Sequence, residues 1–103
     1  MQIIPLSIKE AEAFLLKFER HYKAPIEPIC AIGVGEIKED YSNNDGFKDI
    51  LKTLRGAAIL GRRDSDTAEL AHIYVDGASQ GYSLLYGACW RALKALGYHK
   101  TIL

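Results

Sequence analysis

A β-type run that passes through a small-residue loop straight into a long helix is the feature that most constrains this chain. The run covers residues 69–75, the turn is Asp76-Gly77, the loop covers 78–81, and the helix extends to about residue 96. Such a junction leaves backbone N–H groups unpaired at the positive end of the helix dipole. The arrangement suits a phosphate or pyrophosphate, although an ordinary strand–turn–helix corner also needs glycine here.

The first helix begins at a capping box, with Ser7 at the N-cap and Glu10 at N3. Prolines at positions 25 and 28 end it. One face is apolar at helical spacing and consists of Ile8, Ala11, Leu15, Phe18 and Tyr22. This pattern predicts an amphipathic helix that packs on a sheet.

Five apolar runs predict strands, at residues 2–4 (ended by Pro5), 29–34, 54–60, 68–75 and 99–103. Residues 38–50 are polar around Asn43-Asn44-Asp45-Gly46 and are expected to form a hairpin tip or an insertion. The order β-α-β-β-β-α-β predicts one α/β (α+β) domain over residues 1–103, with a mixed, mostly antiparallel sheet.

The long helix is expected to end at Gly97, which would be its C-cap. Its predicted apolar face consists of Tyr82, Leu85, Tyr86, Cys89, Leu93 and Leu96. Trp90 and the tyrosines of this helix are interpreted mostly as core residues. Gly87 indicates close approach of another backbone or a ligand, or a tight contact between helix and sheet.

Charge and composition limit the kinds of function and partner that this chain is expected to have. Thirteen basic residues balance thirteen acidic ones, so nucleic-acid binding is not favoured. Cys30 and Cys89 form no C-x-x-C motif and are expected to be reduced core residues of a cytoplasmic protein. The sequence shows no signal peptide and no apolar run of membrane-spanning length, so no membrane partner is expected.

Several short motifs follow one another along the chain: Pro5-Leu6-Ser7, Lys9-Glu10-Ala11, Ile32-Gly33-Val34, Gly61-Arg62, Asp76-Gly77, and the dense block from Ser83 to Tyr98. Together they resemble a small phage- and bacteria-encoded group within the GNAT acyltransferase superfamily, and more distantly the phage Mom DNA-modification proteins. The resemblance spans nearly the whole chain.

This resemblance implies a GNAT-like fold and acetyl-CoA, or another acyl-CoA, as cofactor. Superfamily members hold the pyrophosphate with a loop written R/Q-x-x-G-x-G/A. With Gly81 on its last position, Asp76 falls on the Arg/Gln position and Ser79 on the first glycine. The cofactor is therefore expected on the backbone of Tyr74, Val75, Gly77, Ala78, Ser79, Gln80, Gly81, Tyr82 and Ser83.

The superfamily fold usually continues past its fifth strand with a helix and further strands, which often supply a tyrosine that acts as general acid. This sequence stops at Leu103. The resemblance thus implies an abbreviated domain, or a homodimer in which a second subunit completes the sheet.

Acyl transfer to an amine needs a base, and two residues of the fourth strand are candidates. Strict alternation places His72 on one face, with Leu70 and Tyr74, and Glu69 on the other. His72 is one candidate, since histidine commonly serves as a general base, and Glu69 is the alternative base. A half-buried structural role for His72 stays open.

Other side chains are candidates for holding the acceptor. His21 and Tyr22 are placed to line a cleft, although a histidine also suits the end of a helix. Arg62 and its neighbour Arg63 could bind an acidic acceptor or a phosphate. The alternative is that both side chains are simply solvated. The histidine spacing predicts no metal site, and residues 40–51 do not match a calcium loop.

We therefore expect a cytoplasmic N-acyltransferase of phage or mobile-element type, acting on a small-molecule or macromolecular amine. Two alternatives stay open. One is a Mom-like nucleic-acid base modifier, which the neutral charge disfavours. The other is a catalytically inactive GNAT-like interaction module, which the abbreviated end and the poorly matching loop favour.

Overall fold

The computed structural model describes residues 2–18, 23, 27–36, 54–77, 79–98 and 100–102. The elements are β1 (Gln2–Leu6), α1 (Ile8–Phe18), β2 (Pro28–Gly35), β3 (Leu54–Arg62), β4 (Thr67–Val75), α2 (Ser79–Ala95) and β5 (Lys100–Ile102). The five strands form one sheet in sequential order. β1 to β4 are antiparallel, and β5 lies parallel to β4. The predicted α+β class and mostly antiparallel sheet are confirmed.

The two described helices pack on opposite faces of this sheet. On one face, Ala11, Phe14 and Leu15 of α1 contact a buried cluster that includes Ile59. On the other, Leu85, Cys89 and Leu93 of α2 contact a second cluster that includes Leu60. β3 supplies side chains to both clusters, which explains why this central strand is almost continuously apolar.

The predicted start of α1 and the predicted end of α2 are confirmed. The Ser7 N–H donates to Oε1 of Glu10 at 2.8 Å, and the Glu10 N–H donates to Oγ of Ser7 at 3.1 Å. At the other helix, Gly97 has a φ of 87°, in the left-handed region. The Gly97 N–H donates to Lys94 O at 3.0 Å and the Tyr98 N–H to Leu93 O at 3.4 Å, a Schellman motif.

The prediction that Pro5 ends the first strand is wrong. β1 continues to Leu6, and Pro5 pairs with Ile32 of β2. β1 is an edge strand, and an edge position tolerates proline because the missing N–H need not serve the ladder. The predicted hairpin or insertion at 38–50, and both His21 and Tyr22, lie outside the described residues. In the described part, no helix is long and apolar enough to cross a membrane.

Candidate functional site

A β-bulge in β4 decides which side chains share a face at the candidate site. Ile59 of β3 is opposite His72, but the next residue, Leu60, is opposite Leu70. Ala71 is therefore the extra residue of the bulged strand. A bulge of this kind shifts the alternation of side chains by one position.

The bulge brings the two candidate bases to the same face of the sheet. Glu69 is opposite Gly61, two residues from Ile59, so Glu69 lies on the α1 side together with His72. Leu70 instead packs with the α2 cluster. The prediction that Glu69 and His72 lie on opposite faces is wrong, because it assumed strict alternation through residues 69–75.

Within the part of the chain that the structure describes, the outer edge of β4 lacks a strand partner over most of its length. β5 pairs with β4 only at residues 67–69. Beyond Glu69, no described strand lies on that side of β4. The outward-pointing backbone groups in the second half of β4 are therefore a candidate edge for binding a ligand or another chain.

The hydrogen bonds to β3 show which groups point outward. The Asp76 N–H donates to Arg55 O at 2.6 Å and therefore points to β3. Alternate residues of a strand direct their N–H and C=O groups to the same side. The backbone groups of Tyr74 therefore also point to β3, whereas those of Ile73 and Val75 point outward. Sequence reasoning selected Tyr74 and Val75 and missed Ile73, because the direction depends on the pairing with β3.

The open edge leads into the loop predicted to hold a phosphate. Gly77 has a φ of 79° and lies in open space, since nothing is within 4 Å of a Cβ placed there. α2 begins two residues later, and its first turn contains no acidic residue. Gly81 is buried, Tyr82 and Ser83 are exposed, and Ala78 lies outside the described residues. Ser79 and Gln80 lie in the first turn of α2.

The side of β4 that faces α1 carries Tyr74, which belongs to an aromatic cluster, and His72, which makes a hydrogen bond. Tyr74 stacks on Phe18 with ring centroids 4.7 Å apart, and Phe14 is 6.2 Å from Tyr74. His72 Nε2 lies 2.7 Å from Lys23 O. A ring nitrogen bonded to a carbonyl oxygen carries the hydrogen, so Nε2 is a donor here. His72 therefore attaches β4 to the chain that follows α1.

Arg62 and Arg63, the charged candidates for holding the acceptor, lie toward the β3–β4 hairpin. Arg62 is 3.9 Å from Oε2 of Glu27, and its Nε donates to Asp64 O at 3.2 Å. Its strand position is at the opposite end of β4 from Gly77, roughly 25 Å away along the strand. Arg63 lies 4.0 Å from Oε2 of Glu69, both partly exposed, a contact of little energetic weight. The structure does not bring Arg62 to the loop.

The outer face of α2 differs from the prediction. Gly87, Trp90, Arg91 and Lys94 lie on the side of α2 away from the sheet, and Tyr82 lies near the start of the helix. Tyr82 and Trp90 are 46% and 43% exposed, so their assignment to the core is wrong. Leu85, Cys89 and Leu93 fill the inner side of the helix instead. Tyr82 stacks with Tyr86 at 6.1 Å, and Lys94 Nζ lies 4.3 Å from the centroid of the Trp90 ring.

Gly87 makes no contact with the sheet. A Cβ at this position would meet only Nη1 of Arg91, at 3.3 Å. Glycine in a helix interior costs about 1 kcal/mol relative to alanine. A tight contact between helix and sheet was one of the explanations considered for Gly87, and it is therefore not the reason for this glycine.

Both cysteines are free thiols, and the described residues contain no group of three or more His, Cys, Asp or Glu side chains arranged for a metal ion. Burial raises the pKa of the Cys30 thiol. Burial, with the neighbouring Cys30 as a second cause, raises the pKa of Cys89 from 9.0 to about 12. Neither thiol has the lowered pKa of a reactive nucleophile.

The buried Cys89 thiol should make the fold less stable in alkali. Above pH 9 the unfolded chain loses this proton while the folded chain keeps it until about pH 12, so stability falls as pH rises across that window. Between pH 8 and 10 we expect the free energy of unfolding of the wild type to fall by about 1 kcal/mol more than that of Cys89→Ala. Urea unfolding at both pH values measures this, and equal losses would contradict it.

Comparison of the chain with protein-family models, curated proteins and solved structures gives no match.

Proposed function

We propose that this chain is an N-acyltransferase that moves an acyl group from acetyl-CoA, or another acyl-CoA, to an amine. One observation carries the proposal: among the described residues, no strand covers the outer edge of β4 beyond Glu69, and this edge leads directly to the N-terminus of α2. An extended ligand with a phosphate at one end matches both parts of this surface.

The residues present fit the two ends of such a cofactor. The pantetheine arm contains amide groups, which pair with a strand edge in the manner of an added strand. Ile73 and Val75 would supply the N–H and C=O groups for this pairing. The backbone N–H groups in the first turn of α2, which has no acidic residue, would hold the pyrophosphate. Asp76 is the unfavourable neighbour, but its side chain is exposed to solvent.

Acyl-CoA would supply a thioester carbonyl. The new N–C bond would form as the C–S bond breaks, CoA would leave as its thiolate and take a proton from solvent, and the amine proton would go to a base. Glu69 is our assignment for that base. It lies on the α1 face beside the bulge, near the point where β4 and β5 separate. His72 is a positioning residue, because its Nε2 donates to Lys23 O. The acceptor would therefore approach from the α1 side.

Removing one outward N–H from β4 tests the cofactor site. Val75→Pro deletes a donor that does not serve the β3 ladder, so the fold should persist. We expect its affinity for acetyl-CoA, measured by calorimetry, to fall roughly tenfold, the effect of one lost hydrogen bond. Val75→Ile keeps the N–H and is the matched control. Unchanged affinity in a folded Val75→Pro variant, or no binding by the wild type, would refute the site.

Two substitutions on β4 test the base. Glu69→Gln should lower kcat by about 100-fold or more, the usual contribution of a general base. His72→Asn keeps a donor for Lys23 O and should retain most activity. Both variants are compared with the wild type at the same pH. A loss of about 100-fold in His72→Asn, with most activity retained in Glu69→Gln, would transfer the assignment to His72.

A further inference from the structure

Arg63, in the turn between β3 and β4, is a cation that contacts the proposed base. Its Nη1 atom lies 4.0 Å from Oε2 of Glu69, and the two side chains are 59% and 34% exposed. This distance exceeds that of a hydrogen bond, so Glu69 does not occupy the guanidinium donors. Among the described residues, the Arg63 side chain makes no other ion pair or hydrogen bond. Its planar fork of N–H groups is therefore accessible to a ligand.

The turn that carries Arg63 is held by its own hydrogen bonds. The Arg63 N–H donates to Thr67 O at 2.9 Å. Oδ1 of Asp64 accepts from the N–H groups of Asp66 and Thr67, at 2.9 Å and 2.8 Å. An aspartate that bonds to nearby backbone N–H groups in this way stabilises a turn. Arg63 is thus placed beside Glu69 by a defined piece of backbone.

The neighbouring Arg62 does not share this position. It is opposite Ala68, whose side chain packs with the α2 cluster. Residues opposite each other in an antiparallel pair share a face, so Arg62 lies on the α2 side of the sheet. Its guanidinium is also engaged, since Nε donates to Asp64 O and lies 3.9 Å from Oε2 of Glu27. Of the two arginines, only Arg63 lies beside the proposed base.

The position of Arg63 restricts which amines suit the proposed base. An amine that gives its proton to Oε2 of Glu69 must lie within about 3 Å of that atom, and so within about 7 Å of Nη1 of Arg63. Amines enter from water as ammonium ions, and two cations at that separation repel each other. An anion attached to the acceptor a few bonds from its amine removes this repulsion by pairing with Arg63. Carboxylates and phosphates both match the guanidinium fork.

We propose that the acceptor is a small amine with a carboxylate or phosphate group a few bonds from its nitrogen, and that Arg63 binds this anion beside Glu69. The inference rests on the proposed acyltransferase function and names the acceptor class for it. The ammonium first loses one proton to water. The nitrogen then forms its bond to the thioester carbon, Glu69 takes the second proton, and the C–S bond breaks as CoA leaves as its thiolate.

Matched pairs of amines test the anion. Initial rates of acetyl transfer from acetyl-CoA by the full chain are measured with alanine against alaninamide, and with phosphoethanolamine against ethanolamine. In each pair only the first amine carries the anion. We expect its kcat/KM to be at least about tenfold higher, the contribution of one hydrogen bond to a charged group. The two pairs together show whether a carboxylate or a phosphate is preferred.

Replacing Arg63 tests the assignment of the residue. Arg63→Met removes an exposed side chain, so the fold should persist, and circular dichroism checks this. The preference for the anionic amine should fall about tenfold or more, chiefly through KM. Arg62→Met removes the same charge from the α2 side and should keep the preference. An equal loss with both amines of a pair in Arg63→Met would make Arg63 a positioning residue for Glu69 and overturn the proposal.

The remaining outcomes separate this inference from the function on which it rests. Equal kcat/KM for the two amines of each pair would overturn the inference and leave the acyltransferase proposal standing. Acetyl-CoA binding in calorimetry, with no amine of either pair acetylated, would also overturn the inference alone. Absence of acetyl-CoA binding would overturn the acyltransferase proposal and the inference with it.

Discussion

Replacing Gly56 by alanine is expected to lower the free energy of unfolding by about 3 kcal/mol, the upper range for overpacking a core. Gly56 lies opposite Val75, and its added Cβ would be 2.8 Å from Tyr74 O and 2.8 Å from Val75 Cγ2. The first is backbone and the second a β-branched side chain, so neither moves away easily. Because both belong to the end of β4, cofactor affinity should fall too. Urea denaturation measures the first effect.

Gly87→Ala is the matched control for this substitution. Its Cβ would meet only the end of the Arg91 side chain, at 3.3 Å. Alanine is also the better helix former, so the fold should gain about 0.5–1 kcal/mol. Equal changes in the two variants would contradict the close packing inferred at Gly56.

The second large effect is expected at Leu85, which is fully buried between α2 and the sheet. Leu85→Ala should cost about 3 kcal/mol, because it removes buried methyl groups and leaves a cavity among tightly packed neighbours. The same change should loosen α2 over β4 and weaken acetyl-CoA binding. Thermal and urea unfolding measure the stability, and calorimetry the binding.

Leu16→Ala is the control for Leu85→Ala. Leu16 is 58% exposed on α1, and its truncation should change the free energy of unfolding by less than about 0.5 kcal/mol. A loss below about 1 kcal/mol for Leu85→Ala would mean that α2 is not held by this contact. A loss of stability with unchanged cofactor affinity would separate the packing of α2 from the proposed site.

The sequence by itself determined the features that depend on neighbours along the chain. The capping box of Ser7 and Glu10 and the end of α2 at Gly97 were predicted correctly, because each is made within one turn of helix. The helices and strands were also predictable, since periodicity reports which positions face a core. Leu85, Cys89 and Leu93 were assigned to the core on this basis and are buried.

Only the tertiary structure decided how these elements present their side chains and backbone. The bulge at Ala71 exists through the pairing of β4 with β3, so strict alternation could not place Glu69 beside His72 on one face. The outward direction of Ile73 likewise depends on that pairing. Trp90 shares the apolar character of core residues, and helical spacing alone cannot tell which side the sheet covers. These properties arise from contacts between distant segments, and a local pattern does not contain them.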